Sequence, residues 1–479
     1  MPRLRSILFY LFLALYLVVT PLAILYALGY QIRPGRHQAW IKTGLISLET
    51  EPTGARVFLG ASRYRWKTPT MLRDLKPGDY PIHLTLRGYQ PWSAVVRVEP
   101  EKATILDHLV LLPKSFAVQA VSTRSYTELI PLPEEDAFLL RTGPRGADLH
   151  LNEIGRDEVR PLLPTQDVFC ALAITRLHRV PDHPGLLLEA RSEGTLRYGW
   201  RQLDQVREPT LDITDLFPQP VANLSWDVKA RNELFTLAGT SLNRLDLDDR
   251  ALYPGVLSDV RSFALYRNDL YVLDRSNHLY RTSRDGERKP QRLGLAPEES
   301  PGARYALHPL NEETVLFTAP HGALFVNREP HALVTRDLQG WLLHPKKPVL
   351  LIWDPYRLGR YDFSERDREA TNESAGVQWF YESPRRIEQV FWCHETSHLL
   401  LAGEGEVELL ALEAGGGAPA RPLTRYEPGT SIFYSERAGA VYFLESGRRS
   451  LMKLQLLARH NLLNLTRPKA EAHAENPPP

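Results

Sequence analysis

The chain has 479 residues, too many for one ordinary core, so two or more folded units are expected. Its 58 basic and 57 acidic side chains nearly cancel. That excludes an overall field drawing it to nucleic acid and leaves partners to be recognised by local surfaces. Two cysteines, Cys170 and Cys393, form neither a CxxC pair nor a disulfide framework. They read as small buried apolar residues, and a bridge between them is a matter of geometry.

From Ile7 to Gly29 the sequence carries no charge. As a helix it would reach about 35 Å, enough for a hydrocarbon core of about 30 Å. Pro21 is tolerable in a membrane helix, and Tyr10, Tyr26 and Tyr30 suit the two interfaces. A cleaved signal peptide is the competing reading, with Met1–Arg5 as its basic start, but its apolar region would be too long. Basic residues on both flanks, Arg3 and Arg5 against Arg33, Arg36 and Lys42, leave orientation undecided by charge. A short stub inside and the body outside is expected, because long domains translocate largely regardless of charge. Residues 1–30 are thus expected as a cytoplasmic stub and transmembrane helix, and 31–42 as a linker.

The next segment alternates apolar and polar residues from Thr43 to Gly60, around a turn at Pro52-Thr53-Gly54, and reads as a β-hairpin. Pro77-Gly78 is a second turn, followed by a strand over Tyr80–Leu86 and another over Ala94–Val98. Pro52, Gly54, Ala55, Thr68, Pro69, Pro77, Gly78, Tyr80, Gly88 and Tyr89 together resemble the PEGA domain family over residues 43–112. Thr53 stands where that family often has Glu, at a turn position. The resemblance implies a small β-sandwich-like module without enzymatic residues, of a kind found in envelope-associated and membrane-anchored bacterial proteins. Read physically, the glycines serve turns, and Tyr80, Tyr89 and Trp92 fill a small core.

After about Ser115 one theme recurs every 30 to 45 residues: a short strand, a turn, a very apolar strand, a turn, and a more amphipathic strand. The units starting at Asn223, Val260, Ala303, Gly340, Gln389 and Ser431 are clear. Looser ones occupy Thr127–Leu163 and Val168–Thr214. The pattern predicts a β-propeller over 113–460 with eight blades, or seven as second choice, resembling degenerate WD-like or surface-protein repeats. The last unit supplies three strands, while Phe116–Val121 is a strand without a unit, so the early strand is expected to complete the last blade. Residues 461–479, rich in Pro, Ala and Glu, are expected as a disordered tail.

His394-Glu395-Thr396-Ser397-His398 matches the HExxH pattern, in which a helix brings two histidines onto one face for zinc. Here the pentapeptide falls where other repeats have the turn between first and second strands, so the histidines would not share a helical face; Glu413 is the distant third ligand that a zinc site could use. Glu134-Glu135-Asp136 reads as a solvated turn and Gly415-Gly416-Gly417 as a flexible loop. Phosphate-cradling and nucleophile-elbow motifs are absent from the sequence. No cofactor, metal or nucleic acid is expected.

The fold class expected is therefore all-β with one N-terminal transmembrane helix, a PEGA-like module and a seven- or eight-bladed propeller. The function expected is a membrane-anchored, non-enzymatic envelope scaffold or binding protein, with the bulk of the chain extracytoplasmic. Its partners would be the lipid bilayer and a protein or cell-envelope polymer. The alternatives are a propeller-based hydrolase or zinc peptidase using the HETSH segment, and a cytoplasm-facing assembly platform. For the partner surface the connection Glu369–Arg386 stands out, because Trp379, Phe380 and Tyr381 are followed by Arg385 and Arg386. Aromatic residues and arginine are enriched at interface hot spots, and adjacent rings on a strand cannot all point inward. Trp379, Tyr381, Arg385 and Arg386 are the candidate contact residues.

Overall fold

The computed structural model describes residues 2–456 apart from 28–29, 33–39, 133–135, 156–158, 180–184, 193, 204–207, 218–222, 227–232, 298–303, 328–331, 364–376, 395 and 413–419. The expected tail, the Gly415–Gly417 loop, Glu134, Glu135, Glu395, Glu413 and most of the Glu369–Gln378 connection lie outside the described residues. The chain divides into two compact units, 1–117 with 456–479, and 118–455.

The first unit opens with helix α1, Pro2–Ala27, which runs through Pro21. Ten large apolar side chains between Phe9 and Val19 are 43% to 67% exposed. Successive helical residues are about 100° apart, so these side chains cover every face of the helix. The helical half of the transmembrane expectation is met. The spanning half is not borne out, since among the described residues no helix is long and apolar enough to cross a membrane. Residues 31–42, expected as a linker, instead contain paired strands, Tyr30–Ile32 and Trp40–Lys42, with Tyr30 opposite Lys42.

The module that follows is two sheets face to face. One holds Thr70–Leu75, Gly44–Glu51 and Ala103–Val110; the other holds Ser62–Lys67, Arg56–Leu59, Gly78–Thr85 and Trp92–Val98. Ile46, Leu48, Ala55, Val57, Leu72, Ile82 and Leu84 fill the space between them, with Tyr80, Tyr89 and Trp92 packed at the margin. The hairpin expected across Pro52–Gly54 is a correction. Gly44–Glu51 pairs with Thr70–Leu75 and in parallel with Ala103–Val110, whereas Arg56–Leu59 belongs to the other sheet. The turn residues permit the crossing, and contacts from Thr68 fix it. Pro52 has no N–H to close a ladder, and Gly54 at φ +90° turns the chain across to the second sheet. Thr68 receives the crossing: its hydroxyl accepts from the Ala55 N–H at 2.9 Å and lies 2.5 Å from the Thr50 hydroxyl, while the Gly54 N–H donates to its carbonyl at 2.8 Å.

The second unit is a ring of four-stranded antiparallel sheets. Eight are present among the described residues, and seven of them run in chain order. Their first strands are Glu128–Leu132, Ala173–Arg179, Asn223–Trp226, Val260–Tyr266, Ala306–Pro309, Gly340–Leu343, Gln389–Cys393 and Phe433–Ser435, here blades 1 to 8. The second strand of a blade is nearly always fully buried, as in Ala137–Arg141, Asp269–Asp274 and Ala440–Leu444. A strand buried on both faces reads as a continuous apolar run, which is why this strand marked the repeat.

Core clusters join blade 1 to 2, 2 to 3, 3 to 4, 4 to 5, 5 to 6 and 6 to 7. Blades 7 and 8 are tied by the Gln389 side-chain oxygen, which accepts from the Ile432 N–H at 3.1 Å, and by Cys393 and Tyr434. Closure is supplied by a cluster in which Phe138 and Leu140 of blade 1 meet Phe433, Tyr442 and Leu451 of blade 8. Blade 8 takes its outer strand from the start of the unit: Ala117–Ser125 lies beside Ser450–Gln455. This is the expected closure, and it removes two sheet edges. Cys170 and Cys393 are both free thiols, the first in the 3-10 turn Val168–Ala171 before blade 2 and the second on blade 7.

Candidate functional site

First strands of successive blades approach one another, as Val260–Tyr266 and Ala306–Pro309 do. They therefore line the axis, and the turns leaving them form one mouth of the ring. On that mouth a cavity of 390 Å³ opens between blades 1, 6, 7 and 8, lined by Asp136, Leu342, Phe391, Trp392, Tyr434, Glu436 and Arg437. The four blades deliver these seven side chains from equivalent places in the repeat, at or just after the first strand. Leu342, Phe391 and Trp392 give an apolar wall. Trp392 is fixed there, with its indole N–H donating to the Leu343 carbonyl at 3.1 Å and its ring 5.2 Å from that of His344.

The polar side of the cavity is graded. Tyr434 donates to Glu436 Oε2 at 2.6 Å and receives the Cys393 thiol at 3.2 Å. Burial, together with the Glu436 carboxylate, pushes both the Cys393 thiol and the Tyr434 phenol above their ordinary ranges, so both stay protonated and serve as donors. Asp136 differs, since its Oδ2 is buried without a hydrogen-bond partner among the described residues. A buried carboxyl oxygen is costly to leave unmet. Arg437 is exposed beside it and has no ion pair among the described residues.

The HETSH segment lies next to this cavity, as the β-hairpin turn between Gln389–Cys393 and His398–Gly403. His394 and Thr396 have φ of +53° and +75°, left-handed turn geometry and no helix. The two imidazoles meet edge to face at 5.4 Å, and the His398 Nδ1 is 2.8 Å from the Ser397 hydroxyl. Burial and the neighbouring His394 lower the His398 pKa to about 4. Among the described residues no group of three or more His, Cys, Asp or Glu could hold a metal.

Trp379, Phe380 and Tyr381 form Gln378–Glu382, the outer strand of blade 6, and not a loop. Alternation holds, but Phe380, 37% exposed, is the outward ring. Trp379 lies under the Arg357 guanidinium at 4.4 Å, and Tyr381 packs against the cluster between blades 6 and 7. Arg385 is held by Glu406 and Glu408 of blade 7, and the Arg386 guanidinium donates to Gln339 at 3.3 Å. The structure thus separates these four residues from the axial cavity and joins each to its own neighbours. The axial residues were not singled out from sequence; the signal available was Phe391-Trp392 on a first strand next to a turn.

A larger hollow of 830 Å³ opens along blades 2 and 3. Its charges are largely committed, with Arg250 bound to both oxygens of Asp215 at 2.8 and 3.0 Å. The axial cavity, with an unmet acceptor and an unpaired cation, is the stronger candidate.

Three solved structures show likeness to the chain. PorZ, described as an essential bacterial surface component of the type-IX secretion system of Porphyromonas gingivalis, has 13% identity and a TM-score of 0.35 over 68% of this chain and 42% of that one. The WD40 repeats of RRP9 have 12% identity and 0.38, over 71% and 97%. The computationally designed Ika8 protein has 12% and 0.37, over 77% and 99%. The chain spans less than half the length of the PorZ chain, and at these TM-scores the likeness defines neither fold nor function. No curated protein matches the sequence. Residues 43–111 match the PEGA domain family, so the module between the helix and the ring is a PEGA domain.

Proposed function

We propose that this chain is a membrane-anchored, non-enzymatic envelope scaffold whose propeller binds a protein or cell-envelope polymer at its axial mouth, outside the cytoplasm. The observation that carries the binding reading is the cavity itself: an apolar wall of Leu342, Phe391 and Trp392 beside Asp136 and the exposed Arg437, which has no ion pair among the described residues. A partner segment inserting an apolar side chain and donating to Asp136 fits that chemistry. Anchoring is supported by the uncharged run Ile7–Gly29 and by apolar exposure around all faces of α1. The outer strand of blade 6 with Trp379 and Tyr381, and the segment after it with Arg385 and Arg386, form a secondary contact surface whose outward ring is Phe380.

Binding is tested by affinity capture with the detergent-extracted full chain. A Phe391→Ala, Arg437→Glu variant should recover its partner about 30-fold less well, as loss of a hot spot of about 2 kcal/mol implies. Equal recovery from a folded variant moves the interface elsewhere. Orientation is tested by adding protease to spheroplasts: the body should be digested while the inner membrane is intact. Protection until that membrane is broken would instead support the cytoplasm-facing platform.

A further inference from the structure

The open face of the PEGA module's four-stranded sheet is basic. Arg56 is registered opposite Lys67, Phe58 opposite Arg63, and Arg97 opposite Asp79, so these side chains share the face turned away from the core residues Val57, Ile82, Leu84 and Val96. Arg56, Arg63, Lys67 and Arg97 are all exposed, and none has an ion pair among the described residues. Asp79 is the one carboxylate registered on that face. Among the charges lies apolar surface: Val95 is 71% exposed, and at the sheet edge Trp66 is 60% exposed with the Arg65 guanidinium 5.1 Å from its ring. Cations at a sheet edge deter strand addition. That accounts for Arg63 and Lys67 on one edge strand and for Arg97 on the other, but not for Arg56 in the interior.

We infer that this face docks onto the anionic headgroups of the membrane that α1 enters, a step that rests on the anchoring proposed above. Charge complementarity and chain length carry it. Ala27 to Tyr30 is three residues, Tyr30 pairs with Lys42, and Gly44 starts the module two residues later. With about 3.8 Å per residue and about 5.5 Å across the pair, the module begins within about 25 Å of the helix end. Four exposed cations on a face that close are within reach of an anionic surface, and exposed Trp and Val suit the interfacial layer. Docking would fix the module on the membrane.

The test uses the full chain in nanodiscs, neutral phosphatidylcholine against discs with about 30% phosphatidylglycerol, reading acylation of Lys67 by mass spectrometry with Lys346 and Lys347 as controls. Lys67 should react about fivefold more slowly in anionic discs, high salt should restore it, and the controls should not change. The Arg56→Glu, Arg97→Glu variant should abolish the protection. Equal Lys67 rates in both discs overturn the docking, as does protection that soluble polyphosphate produces in neutral discs and anionic lipid does not. Release of the chain from both kinds of disc by a salt wash is a separate outcome, which overturns the anchoring and the docking with it.

Discussion

Deleting residues 115–122 should unlock blade 8 at the far end of the chain. Ala117–Ser125 is the outer strand of a sheet whose other members lie after residue 432, so its loss exposes the ladder edge of Ser450–Gln455. Amide hydrogen exchange should show Ser450–Gln455 losing protection while blades 4 and 5, on the opposite side of the ring, keep theirs. Phe138→Ala tests the same seam from inside. Phe138 is fully buried, 5.4 Å from the Phe433 ring and 5.2 Å from that of Tyr442, so the cavity should cost about 3–5 kcal/mol. Both changes should open the seam between blades 8 and 1 before any other. Unchanged exchange at Ser450–Gln455 in the deletion would mean the ring does not depend on this strand.

Acid should weaken blade 7 through His398. An unfolded histidine titrates near 6.5, whereas burial and His394 hold the folded value at about 4. The folded protein keeps this imidazole neutral, so its contribution is complete above about pH 6.5 and is lost as pH falls to about 4. Below that, the loss levels off near 3 kcal/mol at about 1.4 kcal/mol per unit. His398→Gln should flatten this part of the stability profile between pH 4 and 6.5. A wild-type profile with the same slope as the variant would show that the imidazole is not the titrating group.

Local sequence was sufficient wherever a residue's neighbours in the chain set its state. Strand pairs such as Asp269–Asp274 with His278–Ser283 are hairpins of an apolar buried strand and a short turn, so their number and spacing were legible. The HETSH turn was legible for the same reason, because its position in the repeat outweighed its zinc-like spelling. Pairing between distant segments was legible only in part. Ala117–Ser125 could be matched to blade 8 because one strand and one vacancy remained, yet nothing local distinguished the Pro52–Gly54 crossover from a hairpin. That choice depends on Thr68, which receives the Ala55 N–H from a residue 13 positions away. Tertiary packing alone decided the axial site: Asp136 and Arg437 stand about 300 residues apart in sequence and meet because the ring closes. Alternation on a strand determined that one ring of Trp379-Phe380-Tyr381 must face outward. Which one was settled by the sheet, since register turned Trp379 and Tyr381 toward their neighbours and left Phe380 exposed. Composition set the strands and their repeat; closure, register and the unmet carboxylate at the mouth belong to the tertiary structure, because each depends on a partner that the local sequence does not contain.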